Sequence, residues 1–362
     1  MEVKRLGIIG TGLIGASVGL AAKRAGVERV EGYDFSESVA EAAQKRGAID
    51  QVARSDHEVL ESDLVVVAVP VIALQSVLSS ILGSSNAAIT DVGSTKSNLS
   101  DALGEPDFVG GHPVTGSEAH GPEHANAELF DGATWFLTPT AHTDPARYRL
   151  VHSFVSALGA TPVAIDPEAH DRLVALTSHL PHALANLLVN QAGATRVEGH
   201  EPLAAAGGSL RDMTRVAGAN PRIWIDIFLE NTVALREALA EHRRRIEQLE
   251  TALEARDTGF IARWIGEAAE NRRQMLANAF PDPGDLHRLR VHVPDRPGVL
   301  AGITQSLGAQ RINIEDFELH HVSPERGGTL TLLVTGEREA ERAAALLESQ
   351  GYGVVVSPVL VQ

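Results

Sequence analysis

The segment with the most chemical character is residues 110–118, which reads Gly-Gly-His-Pro-Val-Thr-Gly-Ser-Glu. A histidine followed by proline in a glycine-rich turn fills a hydrophobic core poorly, but such a turn can hold an imidazole rigidly over a cleft. A neutral imidazole accepts the proton of a hydroxyl group and polarises its C–O bond. His112 is therefore the first candidate for a catalytic base.

A second polar segment, Asp91 to Lys96, reads Asp-Val-Gly-Ser-Thr-Lys and closes a short apolar run. We expect that run to be a parallel strand, and ligands of parallel sheets bind at the carboxyl ends of the strands. Ser94 can donate and accept a hydrogen bond there, while Asp91 can orient it or cap the next helix. Lys96 is one of four lysines in the chain, which favours a functional role over chance retention.

Gly10, Gly12 and Gly15 follow a predicted strand and open a predicted helix with the spacing Gly-x-Gly-x-x-Gly. In dinucleotide-binding folds these glycines permit a tight turn, a close approach of backbone to pyrophosphate, and close helix packing. Asp34 ends the second predicted strand, where a carboxylate binds ribose hydroxyls and disfavours the 2′-phosphate of NADP. The alternative is a glycine-rich turn with Asp34 as a helix cap. The pattern favours an NAD site formed by Gly10, Gly12, Leu13, Ile14, Gly15, Asp34, Val69, Asp91 and Lys96.

Composition and charge narrow the class of protein. The 362 residues carry a formal net charge of −16, which argues against nucleic-acid binding because that binding depends on basic patches. The chain has no cysteine, so disulfides and thiolate chemistry are excluded, and no apolar run approaches the roughly 20 residues that cross a bilayer. A strand is predicted directly after residues 1–5, with no room for a signal peptide. We therefore expect a cytoplasmic enzyme with neither nucleic acid nor membrane as a partner.

Three patterns of secondary structure divide the chain. Residues 1–166 alternate short apolar runs with helical periods, which predicts a Rossmann-type α/β domain with a parallel sheet. Residues 167–282 carry long helical periods, which predict an all-α domain packed as a bundle within one chain or between two. The predicted helices there are 168–197, 203–217, 223–257 and 259–279.

A cluster of helix-breaking residues, Pro-Asp-Pro-Gly at 281–284, precedes a change of pattern. Residues 287–362 then predict the order βαββαβ, which is typical of a ferredoxin-like domain. The predicted strands are 289–293, 312–319, 329–334 and 354–360.

Three further motifs follow the first three along the chain. They are Ser-His-Leu-Pro-His at 178–182, Gly-Gly-Ser-Leu-Arg-Asp-Met-Thr-Arg at 207–215, and the segment 221–231 that contains Trp224. In this joint order, residues 5–280 resemble the prephenate dehydrogenase family of tyrosine biosynthesis. The resemblance implies a homodimer that converts prephenate to 4-hydroxyphenylpyruvate by oxidative decarboxylation with NAD.

The resemblance also implies roles for individual residues. His112 matches the family's catalytic histidine, and Ser94 matches the serine that hydrogen-bonds beside it and helps to place the hydroxyl group and the nicotinamide. Arg215 matches the arginine that holds the side-chain carboxylate of the substrate. Trp224 is expected to pack as a pocket wall, and Arg211 stands where relatives often carry lysine. The other implied substrate-binding residues are His179, His182, Arg211 and Glu118.

Each of these substrate-site predictions has a simpler alternative. His179 and His182 have the spacing of a metal pair, although no third ligand is evident and the reaction needs no metal; packed helix histidines are a second alternative. Arg211 and Arg215 lie one helical turn apart, as in a surface ion-pair cluster. The remaining histidines are expected to be surface or capping residues, including His120, His124, His170, His320 and His321.

The C-terminal residues 287–362 resemble an ACT domain, a small amino-acid-sensing module. The resemblance rests on Val-Pro-Asp-Arg-Pro-Gly-Val-Leu at 293–300 and Ile-Asn-Ile-Glu-Asp at 312–316. A loop that ends at a helix N-terminus can bind a carboxylate through backbone N–H groups. Because this module is attached to a tyrosine-pathway catalyst, we expect L-tyrosine as an inhibitory effector; the alternative is a purely structural dimerisation module. The predicted effector-binding residues are Asp295, Gly298, Val299, Leu300 and Asn313.

Three other functions are alternatives to prephenate dehydrogenase. In arogenate dehydrogenase the substrate side chain bears an amine, which a pocket carboxylate such as Glu118 would favour. A different 3-hydroxyacid dehydrogenase does not account for the His-Pro-x-x-Gly sequence around His112. A non-catalytic amino-acid sensor with a vestigial nucleotide site should have lost its chemical residues, yet Ser94, His112 and Arg215 are all present.

Overall fold

The computed structural model describes residues 2–84, 86–115, 119–279, 285–323 and 327–359. It divides into two compact units, Met1–Arg244 and Arg245–Gln362. No helix among those residues is both long enough and apolar enough to cross a membrane.

The first unit contains an eight-stranded sheet with the order β3-β2-β1-β4-β5-β6-β7-β8. All neighbouring strands are parallel except β6 and β7, which are antiparallel, so the predicted parallel sheet is extended into a mixed one. The chain reverses its direction of travel across the sheet between β1 and β4, where ligands bind in doubly wound folds. The strands are β1 (Arg5–Ile9), β2 (Arg29–Tyr33), β3 (Gln51–Val52), β4 (Leu64–Val67), β5 (Ala88–Asp91), β6 (Phe108–Pro113), β7 (Thr134–Thr138) and β8 (Thr161–Ala164).

Both faces of this sheet are buried, which explains why its central strands are apolar throughout. Alternate residues of one strand enter different cores: Leu64 and Val66 join one cluster, while Val65 and Val67 join the other. The cofactor and substrate segments therefore stand on a rigid, doubly covered scaffold. The helices around the sheet are α1 (Leu13–Arg24), α2 (Glu37–Lys45), α3 (Val71–Ile81), α4 (Ser100–Leu103) and α5 (Pro145–Ala157), with 3₁₀ turns at Glu58–Glu61 and Pro122–His124.

The helical part of the first unit is more divided than the sequence predicts. The predicted helix 168–197 is α6 (Pro167–Val174), a π-helical segment (Ala175–His179) and α7 (Leu180–Ala194). The predicted helix 223–257 is broken at Asn231, because that residue turns inward to bond two other segments. The remaining elements are a 3₁₀ turn at Pro202–Ala205, α8 (Gly208–Thr214), a 3₁₀ turn at Arg215–Gly218, α9 (Pro221–Glu230) and α10 (Thr232–Glu254).

The second unit contains a four-stranded antiparallel sheet with the order β10-β11-β9-β12. Its elements confirm the predicted order βαββαβ, and apolar residues of the sheet pack with two helices into one core. The second strand begins at Asp316, not at the predicted Ile312, so residues 312–315 form the connection before it. The elements are α11 (Thr258–Ala279), β9 (Leu286–Val293), α12 (Val299–Ala309), β10 (Asp316–Ser323), β11 (Gly327–Thr335), α13 (Glu337–Ser349) and β12 (Gly353–Pro358).

Candidate active site

The three glycines of the turn between β1 and α1 have different surroundings and therefore different structural roles. Gly10 has φ +90°, and a Cβ there would lie 2.5 Å from the Ala68 carbonyl oxygen. A Cβ on Gly15 would lie 1.9 Å from the Gly10 carbonyl oxygen. A Cβ on Gly12, by contrast, would meet no protein atom within 4 Å. Packing therefore requires the first and third glycines, while the second leaves an open cradle in front of a helix N-terminus, which fits a pyrophosphate.

Asp34 stands directly after β2 and is partly buried. One carboxylate oxygen accepts the Thr11 N–H at 2.8 Å, and the other accepts the Ser36 N–H at 2.9 Å. The carboxylate thus fastens the glycine turn to the end of β2 beside the cradle. Leu13 and Ile14 form the start of α1, and Val69 borders the same turn, since a Cβ on Gly10 would lie 3.1 Å from its Cγ1. The predicted cofactor residues that follow β1, β2 and β4 therefore lie around one glycine turn.

Asp91 and Lys96 are placed inside the protein, not at the cleft. Both side chains are completely buried, and the ammonium donates to Asp91 Oδ2 at 2.6 Å, to the Gly93 carbonyl at 2.8 Å and to the Thr95 carbonyl at 3.0 Å. An ammonium has three protons, so Lys96 has no donor left for a cofactor. The predicted cofactor contact of Lys96 is therefore replaced by a buried ion pair that shapes the loop after β5.

The same ion pair fixes the strand that carries His112. Asp91 Oδ1 accepts the Gly111 N–H at 3.0 Å, across from β5 to β6. A Cβ on Gly111 would lie 2.5 Å from the Asp91 carbonyl oxygen, so glycine is needed for β6 to pass this close. His112 follows within β6 itself, opposite Phe136 of β7, and not in the turn that the sequence suggested.

Ser94 lies on the loop that Lys96 holds, at the carboxyl end of β5. It is partly buried, and its hydroxyl makes no hydrogen bond with any residue that the structure describes. Its backbone neighbours are fixed from both sides, because the carbonyls of Gly93 and Thr95 both accept from Lys96. The hydroxyl is thus held in place with its donor and acceptor available.

His112 is partly buried and has one engaged ring nitrogen. Its Nδ1 lies 2.9 Å from Nε2 of His170, and the two rings meet edge to face. Burial lowers the pKa of His112 well below its ordinary value, and electrostatic interactions with His170, Lys96 and His179 lower it further. His112 is therefore neutral at neutral pH and able to act as a base.

His170 is completely buried, so the expectation of a surface or capping histidine is wrong for this residue. Its Nδ1 lies 2.8 Å from the Asp171 carboxylate, and its ring also packs against Phe136. The chain of contacts His112–His170–Asp171 runs from β6 into α6. The adjacent His-Asp pair at the start of a capped helix was the sequence signal, but nothing local linked it to His112.

Asn231 joins the same cluster from the break between α9 and α10. Its side-chain amide donates to the Asp171 carbonyl at 2.9 Å and lies 3.0 Å from Nδ1 of His179. Burial lowers the pKa of His179 to about 4, although the nearby Asp171 charge opposes that shift. The predicted His179 is thus a neutral, almost fully buried member of the network, and Asn231 is a partner that residue-by-residue reasoning had not assigned.

His182 and Trp224 form the exposed side of the cluster. Their rings stack with centroids 3.4 Å apart, and the Trp224 ring also meets Phe228 edge to face, with centroids 5.5 Å apart. Burial lowers the pKa of His182, a hydrogen bond to the Ser178 carbonyl raises it, and the charge of Arg215 lowers it again. Trp224 thus lies against a predicted substrate histidine, and its role as a pocket wall stays a prediction.

Arg215 and Arg211 are both exposed, and neither forms an ion pair with the part of the chain that the structure describes. Arg211 donates to the Ala206 carbonyl at 3.0 Å, whereas Arg215 makes no hydrogen bond with those residues. A guanidinium near His182 with free donors fits a carboxylate ligand. Glu118 lies outside the described residues.

The C-terminal unit has a cavity of about 410 Å³ at the loop between β9 and α12. Asp295, Gly298, Val299 and Leu300 line it, together with Leu319 of β10. Asn313 is not among the lining residues and instead donates to the Glu315 carboxylate at 2.9 Å. Four of the five predicted effector residues therefore border one cavity.

Sequence models of three known domains match the chain. Residues 18–164 match the nucleotide-binding domain of prephenate dehydrogenase, residues 166–267 its dimerization domain, and residues 287–351 the ACT domain. A prephenate dehydrogenase of Bacillus subtilis is 33% identical over 358 residues, which cover 95% of both chains. The chain belongs to the prephenate dehydrogenase family. It is an NAD-dependent oxidoreductase, and the open Gly12 cradle fits that cofactor.

Solved structures of this family share the fold of about three quarters of the chain. A prephenate dehydrogenase of Aquifex aeolicus, in complex with hydroxyphenyl propionate and NAD⁺, superposes with a TM-score of 0.69 at 29% identity, covering 76% of this chain and 99% of that one. An arogenate dehydrogenase of Synechocystis gives a TM-score of 0.68 at 28% identity, covering 75% and 99%. Family members thus include dehydrogenases named for both substrates.

Proposed function

We propose that this enzyme converts prephenate to 4-hydroxyphenylpyruvate by NAD-dependent oxidative decarboxylation. The observation that carries the proposal is His112, a neutral imidazole anchored through Nδ1 at the end of β6. It stands on a strand bonded to the loop that presents Ser94. A base and a hydroxyl at the carboxyl edge of a dinucleotide-binding sheet suit oxidation of a secondary alcohol.

Each proposed residue has one task in this reaction. His112 Nε2 accepts the proton of the ring hydroxyl, and NAD, when bound, supplies the hydride acceptor. The Ser94 hydroxyl hydrogen-bonds the same oxygen and orients it, and Arg215 holds the side-chain carboxylate. Loss of the ring carboxylate as carbon dioxide then makes the ring aromatic. His182 and Trp224 provide a flat wall that suits a planar six-membered ring.

The helical segment 167–282 is proposed to form the dimer interface. The matching family domain is described as a dimerization domain. Ile225, Leu229 and Val233, on α9 and the start of α10, leave apolar side chains more than half exposed. Large apolar side chains exposed close together in sequence are consistent with a protein–protein interface.

L-Tyrosine is proposed as an inhibitory effector that binds the cavity before α12. The cavity combines apolar walls with backbone N–H groups at a helix N-terminus, which suits an amino acid with a large side chain. Calorimetry with the full chain tests this proposal: Leu300→Arg should abolish tyrosine binding and inhibition without changing basal turnover. Equal binding by both chains would remove the cavity from this role.

Arogenate is the second candidate substrate, because the similarity to the Synechocystis arogenate dehydrogenase is almost as high as that to the Aquifex enzyme. NADH formation by the purified chain, with prephenate or arogenate and with NAD or NADP, separates the two. Turnover of prephenate with NAD supports the proposal. A preference for arogenate would mean that the same site oxidises arogenate instead. His112→Asn should lower kcat by about 10²–10⁴-fold while leaving NAD affinity unchanged, and Arg215→Ala should mainly raise KM.

A further inference from the structure

The hydrogen bonds around Asp171 determine which atoms donate and which accept. Its Oδ1 accepts the Lys96 N–H at 2.9 Å, and its Oδ2 accepts the Ser97 N–H at 2.8 Å and the Ser97 hydroxyl. Burial alone would raise the pKa of Asp171, but hydrogen bonds from His170 and Ser97 lower it below its ordinary value. The group is therefore an ionised carboxylate, which can only accept hydrogen bonds.

The acceptor role of Asp171 determines the donor and acceptor roles of the two histidine rings. His170 Nδ1, 2.8 Å from the Asp171 carboxylate, must carry a proton. When His170 is neutral, this proton is its only N–H, so its Nε2 accepts and His112 Nδ1, 2.9 Å away, donates to it. The remaining nitrogen of His112, Nε2, is then unprotonated.

We propose that Asp171 and His170 are positioning residues that hold His112 in the tautomer with its proton on Nδ1, and that His170 Nε2 receives this proton when His112 Nε2 takes one from a substrate hydroxyl. The second part rests on the proposed function, whereas the tautomer does not. The pair thus makes His112 a base at Nε2 before any substrate arrives.

The proton transfer is balanced at each atom. The substrate O–H bond breaks as an N–H bond forms at His112 Nε2, and the His112 Nδ1–H bond breaks as one forms at His170 Nε2. The positive charge then lies on His170, whose other nitrogen is 2.8 Å from the Asp171 carboxylate. On His112 that charge would instead face Lys96 and His179, with no carboxylate partner among the residues that the structure describes. Because His170 is fully buried, the proton returns to solvent through His112.

The wild-type tautomer can be measured directly. In a sample with ¹⁵N-labelled histidine, the signals of His112 are identified by their loss in His112→Asn. We expect the protonated nitrogen of His112 to be Nδ1 at neutral pH. A proton on Nε2 instead overturns the proposal, whether or not the enzyme oxidises prephenate, so this readout is independent of the proposed function.

Asp171→Asn tests the cause of this tautomer. An asparagine amide can donate to His170 Nδ1, which reverses both hydrogen bonds and moves the His112 proton to Nε2. We expect kcat to fall by about 10²–10⁴-fold with KM nearly unchanged, as when a catalytic histidine is held in the wrong tautomer. Asp166→Asn is the matched control, because Asp166 caps the same helix through acceptor bonds that asparagine can replace.

Two replacements of His170 distinguish its role in fixing the direction of the hydrogen bonds from its role in accepting a proton. In His170→Gln the side chain can still donate one hydrogen bond and accept another, but it cannot take up a proton. In His170→Phe the ring fills the space beside Phe136 and can neither donate nor accept a hydrogen bond. We expect the decrease in kcat to be larger for Phe than for Gln, with NADH affinity retained in both. Equal, wild-type kcat for Asp171→Asn and His170→Phe would refute the role of the pair. If Asp171→Asn does not fold, the histidine ¹⁵N spectrum of the wild type and the kcat values of the two His170 variants test the proposal in its place.

Discussion

Two lysine–aspartate ion pairs of the same length allow a controlled test of the buried pair. Lys96 and Asp91 lie 2.6 Å apart with both side chains fully buried. Lys23 and Asp50 are also 2.6 Å apart, but their side chains are 27% and 45% exposed. The perturbation is the same in each case: Lys96→Met and Lys23→Met, which keep an unbranched side chain and remove the charge.

The two substitutions should lower the free energy of unfolding by different amounts, because one ion pair is buried and water reaches the other. Removing one member of a buried pair leaves an uncompensated charge, at a cost of about 3–5 kcal/mol. Asp91 keeps backbone donors from Gly93 and Gly111, which places the loss for Lys96→Met near the lower end of that range. In Lys23→Met, water replaces the ammonium at Asp50, so the loss is about 0–1 kcal/mol.

Urea unfolding followed by tryptophan fluorescence measures this difference. Trp135 is fully buried in the sheet core and reports on the first unit. With an m-value of about 2–3 kcal/mol per molar, Lys96→Met should lower the urea midpoint by about 1 M or more, and Lys23→Met by less than about 0.5 M. Equal shifts would refute the reasoning. An unshifted midpoint with lost NAD binding in Lys96→Met would instead restore the cofactor role predicted from the sequence.

Three further predictions concern the cofactor turn and the histidine cluster. Gly12→Ala should weaken NADH binding without changing the melting temperature, whereas Gly15→Ala should destabilise the fold by about 1–3 kcal/mol because its Cβ has no space; the reverse pattern would contradict the assigned tasks. Asp34→Ser should raise NADP turnover relative to NAD by about tenfold, measured as a ratio of kcat/KM, because the carboxylate that repels a 2′-phosphate is gone; an unchanged ratio would limit Asp34 to a structural role. The pKa of His179 is about 4 in the folded protein and 6.5 when unperturbed, so the unfolded chain binds one more proton between these values and the free energy of unfolding decreases as pH is lowered. Relative to His179→Gln, the wild type should lose about 1.4 kcal/mol per pH unit in that window, and parallel stability curves would refute the assignment.

Much of the architecture could be predicted because its signals are local. The Gly10–Gly15 spacing lies within six residues, and the contact between Gly15 and the Gly10 carbonyl oxygen is local, although Gly10 also packs against Ala68. The apolar runs of β4 and β5 similarly reflect burial on both faces of one sheet. Helix ends were predicted less well, because Asn231 interrupts a continuous helical period to form tertiary hydrogen bonds.

The scarcity of lysine in the chain predicted a role for Lys96, but it did not show whether that role is in cofactor binding or in packing. A lysine near a ligand edge is equally consistent with a cofactor contact and with an internal ion pair. Burial decides between them, since β6 passes over the Asp91 carboxylate and excludes water from the ammonium. That strand is about 20 residues away in sequence, and its approach depends on the absence of a side chain at Gly111.

The sequence by itself predicted the fold class, the dinucleotide turn and His112 as the candidate base, because each prediction depends on residue type, spacing or motif order. Only the tertiary structure decided what surrounds that base. His170 lies 58 residues from His112, and Asn231 lies 52 residues from His179. Periodicity assigns each of these residues to an element but does not say which elements meet. The proton position proposed for His112 depends on contacts that exist only after α6 has packed against β6.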